Sequence, residues 1–238
     1  MTTDFTNDFA KLFAKKEELN LVLRLCIQEF RSVGTFIKHP LINMPYHESM
    51  NAYINALYQD KKEHLNQCEA ANNWHAAVWL HERPWRIEAF NRYAPRMERE
   101  TAAEMLIDVW SDSEAPYQYR HLWRKLFRQY RDTEALLHSR AHLMRDGEDD
   151  EKLITLYRGM GRNESRKKNQ TLWGNSWTIE RSVAEWFGRR YRSFKGGYIA
   201  EATCKKRGIF CYLPERGEQE VVIDTIYLTD MKVSKVTS

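Results

Sequence analysis

Long hydrophobic runs are missing from this chain of 238 residues: none approaches the ~18 apolar residues of a membrane span, so no membrane is expected as a partner. The first residues, Met1-Thr2-Thr3-Asp4-Phe5, lack a basic segment followed by an apolar one, which predicts no secretory signal. Cysteine is sparse. Cys26, Cys68, Cys204 and Cys211 form no Cys-x-x-Cys pair and read as reduced thiols of a cytoplasmic protein. Internal repeats, low-complexity tracts and long flexible linkers are also missing, so the two halves of the chain are expected to pack together.

Several familiar catalytic signatures are absent as well. No Gly-x-Ser-x-Gly elbow and no Walker loop occurs. Gly159-Met160-Gly161 begins like a dinucleotide loop, but Glu164 stands where the third glycine belongs, and Lys, Arg, Asn and Gln follow where a helix should start. His138 and His142 are four apart, yet Ser139 takes the place of the glutamate a zinc protease needs, and no third ligand is evident. No metal is expected.

What is present bounds the class. Hydrophobic residues make up 42% and aromatics 13%, with eight Trp, which excludes a disordered chain. Residues 151–238 carry 17 Lys and Arg against 10 Asp and Glu, whereas residues 1–150 carry 20 against 23. The last third should therefore attract anions, NAD or nucleic acid alike.

Residues 1–145 read as helical almost throughout. Phe9, Leu12, Phe13, Leu19, Leu23, Ile27 and Phe30 form a stripe interrupted near Arg31–Gly34, and Met50, Tyr53, Ile54 and Leu57 continue it. Five prolines from Pro40 to Pro116 cut the region into ordinary helix lengths. Helices are predicted over Arg99–Val109 and Tyr117–Met144, and the acidic run at 146–150 ends them. Trp74, Trp79, Trp85, Trp110 and Trp123 are core at this spacing, with base stacking as the sharper alternative.

Beyond that run the period changes. Leu153–Tyr157, Tyr198–Thr203, Ile209–Leu213, Glu220–Ile223 and Thr225–Leu228 read as strands, Thr171–Thr178 has strand composition, and Ser182–Tyr191 reads as a helix. Helices followed by short strands predict an α+β fold with antiparallel sheets.

Three motifs fall in order along this last third. Arg158, closing a strand before Gly159, can fork to two phosphate oxygens while the glycine lets backbone approach; alternatively it is a strand-end arginine paired with a surface carboxylate. In Ser176-Trp177-Thr178, alternation puts both hydroxyls on one face, one for a ribose and one as a brace, or else they are ordinary strand hydroxyls beside a core Trp. Phe187, eleven residues past Ser176, can stack on a flat base with Arg189 and Arg190 adjacent, or simply be core. In Glu218-Gln219-Glu220, alternation aims two carboxylates at one side, where their repulsion has a cost unless a cation or cationic transition state relieves it, or else they keep an edge strand soluble.

Together these residues resemble the R-S-E class of mono-ADP-ribosyltransferases, the cholera-toxin-like group that includes clostridial binary toxins and phage-encoded transferases. The resemblance spans about Leu153–Val233, with the helices of Arg99–Met144 as the cap usual in that fold. It implies a catalytic domain over 96–238 built of two packed, mainly antiparallel sheets, and leaves the helical region expected over 1–95 open to substrate docking, antitoxin binding or simple scaffolding. NAD would be the co-substrate, with no metal. Arg158 would hold the pyrophosphate beside Gly159, Ser176 the nicotinamide ribose with Thr178 bracing, Phe187 the ring, and Arg190 a second phosphate. Glu220 would stabilise the oxocarbenium-like transition state, and Glu218 would orient or deprotonate the acceptor. Trp177 and Thr178 depart from the family's Ser-Thr-Ser.

The resemblance also implies a macromolecular acceptor, either a protein arginine or, given Arg162, Arg166, Lys167 and Lys168, RNA or DNA. A toxin or anti-phage defence effector, with an antitoxin or other protein partner on the N-terminal region, fits a chain of this size. Two further readings use the same sequence: an NAD glycohydrolase giving the ribose to water, and a non-enzymatic helical interaction module on a degenerate transferase fold.

Overall fold

The computed structural model describes residues 17–114, 116–143, 151–166, 173–190, 197–214 and 217–236. Phe9, Leu12 and Phe13 of the expected stripe, the acidic run at 146–150, and Lys167 and Lys168 lie outside these residues. The fold is mixed, with antiparallel strand pairing in both of its sheets. The chain divides after Met97 into two compact units, where the sequence reading set its boundary after residue 95.

The first unit corrects the expectation of a helical N-terminal region. After a one-turn helix α1 (Leu21–Arg24) come three strands, β1 (Ile27–Phe30), β2 (Gly34–His39) and β3 (Ile42–Pro45), paired antiparallel in that order. The interruption at Arg31–Gly34 is the hairpin turn. Gly34 takes φ +89° there, a left-handed conformation that glycine adopts without steric cost. Thr35-Phe36-Ile37 then supplies β-branched and aromatic side chains that suit a pleated strand, and Pro45 falls on an edge strand that needs no donor from it. Here tertiary pairing overrode a stripe of apolar spacing that also fits a helix. Ile37 and Ile42 bury against Leu19, Leu23, Ile54 and Tyr58.

Helices α2 (Asn51–Ala70), α3 (Trp74–Trp79) and α4 (Arg86–Tyr93) follow the strands. Trp74 stacks on Tyr93 at 5.7 Å and carries the Arg96 guanidinium at 5.0 Å, while Arg86 covers Trp79 at 4.7 Å. Trp74, Trp79 and Trp85 are half-buried, unlike Trp110 and Trp123 of the second unit, which are core.

The second unit opens with α5 (Arg99–Asp112), whose N-terminus is capped by the Glu98 carboxylate accepting from Thr101 N at 3.1 Å. The single helix expected over Tyr117–Met144 is two, α6 (Arg120–Tyr130) and α7 (Glu134–Ala141). Thr133 makes the break: both its amide, at 3.0 Å, and its hydroxyl, at 2.6 Å, donate to the Tyr130 carbonyl. Hydroxyl bonding of this kind competes with helix continuation.

The sheet of this unit comprises β4 (Leu153–Gly161), β5 (Ser176–Thr178), β6 (Gly197–Lys205), β7 (Ile209–Leu213), β8 (Glu220–Ile223) and β9 (Leu228–Lys235). Their order is β7-β8-β5-β4-β6-β9. Where two packed sheets are expected, the strands follow one hydrogen-bonded order whose halves meet at a single pair, Tyr157↔Thr178. β4 and β6 pair continuously from Leu153↔Lys205 to Gly161↔Gly197. The strand expected at Thr225–Leu228 is a 3-10 turn over Thr225–Tyr227, because the Asp224 carboxylate accepts from Ile226 N, and β9 begins only afterwards.

The helices cover the β7 edge. Trp110, Trp123, Phe127 and Phe210 form one aromatic cluster, with Phe127 and Phe210 stacked at 5.4 Å. Ser139 on α7 exchanges bonds with both the carbonyl and amide of Tyr212, and Arg140 donates to the Ile209 carbonyl. Edge groups that would otherwise template another strand are thereby satisfied. Arg128 and the buried Arg124 converge on buried Asp224, tying α6 to the end of β8.

Candidate active site

β4 runs into the one-turn helix α8 (Arg162–Ser165), and between Thr178 and β6 the helix α9 (Arg181–Arg190) lies directly on β4. A Cβ at Gly159 would stand 2.3 Å from the Ala184 carbonyl oxygen and 2.5 Å from Gly188 N. The glycine thus admits a helix, the closest approach being protein on protein, and it sets Phe187 beside the strand that carries Arg158.

Arg158 stands on β4 opposite Ala200, with its guanidinium turned toward β5. Its Nε and Nη2 donate to the two carboxylate oxygens of Glu164 at 3.1 and 3.3 Å, and its Nη1 donates to the Ser176 carbonyl. Both side chains of the pair are 15% exposed. Glu164 accepts a third bond, from Gly174 N at 2.9 Å. Arg158 thus has a carboxylate partner, as in the alternative to a phosphate, but a mostly buried one and not a surface one.

From Ser176 the chain of contacts continues. The Ser176 hydroxyl donates to Glu220 Oε1, and Ser176 faces Val222 across the β5–β8 ladder. Thr178 pairs with Glu220 in the same ladder, and its hydroxyl donates to the Glu218 carbonyl at 2.8 Å while accepting from Glu180 N at 3.0 Å. The expected bracing by Thr178 is therefore a backbone tie on Glu218. Trp177 turns to the other face, stacks on Trp173 at 6.0 Å and donates to the Gly174 carbonyl. The alternation along Ser176–Thr178 holds, although β5 is only these three residues of the longer run expected.

Alternation fails at Glu218. β8 begins at Glu220, and Gln219 takes φ +46°, so Glu218 lies in a left-handed turn outside the strand. The common direction of the two carboxylates cannot be inferred from strand period. Glu220 is 8% exposed and lies between β5 and β7, opposite Thr178 and Leu213. Burial, then the negative charge of Glu220, pushes the neighbouring Cys211 thiol well above its usual range, which keeps that thiol protonated and inert.

Phe187 is half-buried, meets Trp186 edge-on at 4.9 Å, and carries Arg190 at 5.5 Å over its ring; Arg190 is closer to Trp186, at 4.4 Å. The structure links Arg158, Ser176, Thr178, Glu218 and Glu220 in one bonded cluster, sets Phe187 against Gly159, and stacks Arg190 on aromatic rings.

No family model, curated protein or solved structure matches this chain. The functional reading rests on the cluster alone.

Three participants carry no site signal in the sequence. Glu164 shows there only as the residue in place of a third glycine. Gly174 is packed so tightly that a Cβ would fall 2.5 Å from Arg158 Nη2. Tyr212, on β7, donates its hydroxyl to Gln219 Oε1. No sequence period marks any of them, since each acts across a loop or a neighbouring strand. Among the described residues, no group of three or more His, Cys, Asp or Glu is arranged to hold a metal ion, and no helix is long and apolar enough to cross a membrane.

Proposed function

We propose that the protein is an NAD-dependent mono-ADP-ribosyltransferase, acting on a macromolecule. The observation that carries the proposal is the continuous hydrogen-bonded path Arg158–Ser176–Glu220 over adjacent strands. It sets an anion-binding fork, a ribose-sized hydroxyl and a buried carboxylate side by side, which is the order of groups along the nicotinamide half of NAD.

The chemistry follows from those groups. Breaking the bond between ribose C1′ and the nicotinamide nitrogen leaves a neutral nicotinamide and an oxocarbenium-like ribose. Glu220, held in a water-poor setting, stabilises that positive charge; one well-placed electrostatic group of this kind is worth roughly 3–4 kcal/mol. Arg158 holds the pyrophosphate once Glu164 yields its place. The acceptor attacks C1′ and releases its proton toward Glu218. The balance is NAD plus acceptor giving ADP-ribosyl acceptor, nicotinamide and a proton. In this reading Phe187 lines the nicotinamide side from α9, and the basic last third draws in either an arginine-bearing protein or a nucleic acid. A role as a toxin or defence effector, neutralised by a protein partner on the first unit, belongs to the same proposal.

The test is incubation with labelled NAD, followed by separation of protein, RNA and DNA. Wild type should label one pool, and Glu220→Gln should label none while still binding NAD. A Glu220→Gln protein that turns over normally would sink the assignment.

A further inference from the structure

Gln219 holds a backbone conformation that ordinary side chains avoid. Its φ of +46° is uncommon outside glycine, asparagine and aspartate, and such residues persist only where the surroundings over-determine them. Three contacts do so here. Thr178 Oγ1 fixes the Glu218 carbonyl, Ile179 N donates to the Gln219 carbonyl at 3.4 Å, and the Tyr212 hydroxyl grips the Gln219 side chain. Only the last comes from β7, the strand on the far side of β8, and only it acts on a side chain.

Tyr212 is itself anchored. Its backbone amide and carbonyl both bond Ser139 on α7, and its ring is buried against the β-sheet core. Burial, then the nearby charge of Glu180, raises the phenol above its usual range, so the hydroxyl keeps the proton it donates. The helical layer is thus connected to the turn between the two glutamates through one side chain.

We infer that Tyr212 is a positioning residue for Glu218: by latching Gln219 it fixes the direction of the acceptor-facing carboxylate and so the partition of ADP-ribose between acceptor and water. The inference rests on the proposed transferase reading. Glu220 does not depend on the latch, because ladder pairs to Thr178 and Leu213 and the Ser176 hydroxyl hold it independently. Loosening the turn therefore separates the two halves of the reaction. Cleavage of the nicotinamide bond, which needs Glu220, continues; capture by the acceptor, which needs an oriented Glu218, falters and water takes the ribose.

The experiment compares wild type, Tyr212→Phe, Gln219→Ala and the double variant, using labelled NAD with agmatine and a mixed-sequence single-stranded RNA as acceptor probes. Released nicotinamide reports cleavage, and label on agmatine, RNA or the protein itself reports transfer. Loss of one hydrogen bond should lower the transferred share about tenfold in either single variant. Nicotinamide release should remain near the wild-type rate. The double variant should be no worse than either single one, as expected of two residues acting through one contact. Equal loss of release and transfer would mean a merely structural tyrosine and overturn the inference, as would additive losses in the double variant. A wild type that frees nicotinamide but labels nothing would also overturn it, leaving a glycohydrolase. Absence of nicotinamide release from wild type would remove the transferase reading itself.

Discussion

Arg158 and Glu164 meet fork to fork, with Nε and Nη2 of one facing both carboxylate oxygens of the other at 3.1 and 3.3 Å. The carboxylate thereby occupies the same donors that a phosphate would use. Two anions on one guanidinium repel each other; at 4 Å and an effective dielectric of 20 the cost is about 4 kcal/mol, less where solvent reaches the pair. In the proposed reading, Glu164 is thus an internal competitor for the phosphate site it helps to build.

Replacing it should expose that competition. Glu164→Gln keeps the shape and an acceptor for Gly174 N but removes the charge, so ADP-ribose should bind roughly tenfold more tightly, a gain of about 1.4 kcal/mol. Stability should fall at the same time, because Arg158 loses its counter-charge in a mostly buried setting. Calorimetric titration with ADP-ribose reads the first effect and thermal melting the second. Weaker binding by a folded Glu164→Gln protein would assign Glu164 to support of the arginine instead.

Ser176→Ala removes the donor on Glu220 Oε1 and leaves the backbone pairing with Val222 intact. A hydrogen bond to a charged group is worth about 1.5–3 kcal/mol, which converts to a loss of roughly 10- to 100-fold in nicotinamide release. Circular dichroism should stay native. Full activity in this variant would place the serine outside the reaction.

At Gly159 the expected damage is geometric. An alanine methyl would stand 2.3 Å from the Ala184 carbonyl oxygen, 2.5 Å from Gly188 N and 2.7 Å from Phe187 Cβ, none of them the far end of a flexible side chain, so α9 must shift and carry Phe187 with it. Overpacking of this sort costs about 1–3 kcal/mol. Gly159→Ala should therefore lower the melting temperature and weaken NAD binding together. Tight NAD binding by the variant would show that the seat of α9 is irrelevant to the ligand.

The first unit should be acid-sensitive. His81 is lowered from its usual range chiefly by burial, and His39 by burial and then by His81. A histidine lowered in the folded state binds its proton more readily when unfolded, so its neutral form adds stability above the unfolded value, near 6.5, and that stability is lost as pH falls below it. The protection of amides across α3, which carries the Ala77 carbonyl bonded to His81, measured against their intrinsic exchange rate at each pH, should fall between pH 7 and 5. His81→Gln should flatten that dependence.

Legibility in the sequence followed how local each signal is. The strands Ile209–Leu213 and Glu220–Ile223 were found at their observed bounds because both are short, apolar and set off by turns. The hairpin sheet of the first unit was hidden, since Leu19, Leu23, Ile27 and Phe30 satisfy a helical period as well as they satisfy the observed α1–β1 passage. At the candidate site, the alternation at Ser176 and Thr178 was readable, but the turn at Gln219 was not. No composition rule anticipates a glutamine with positive φ that a tyrosine from another strand holds in place. Glu164 escaped for a similar reason: an ion pair that curls back from a helix to its own preceding strand has no period.

The single ladder pair Tyr157↔Thr178 is the seam of the second unit's sheet. Arg158 belongs to the side stitched by β4, β6 and β9; Ser176 and Glu220 belong to the side stitched by β5, β7 and β8. Across that seam the arginine's bond to the Ser176 carbonyl stands in for the missing rungs. Two further ties cross the same line, the Gly174 amide on Glu164 and the apolar core that both panels share, while the continuous β4–β6 ladder and the β7–β8 pairing lie to either side of it. A molecule gripped from both panels would work as a rivet, stiffening the sheet at its thinnest line.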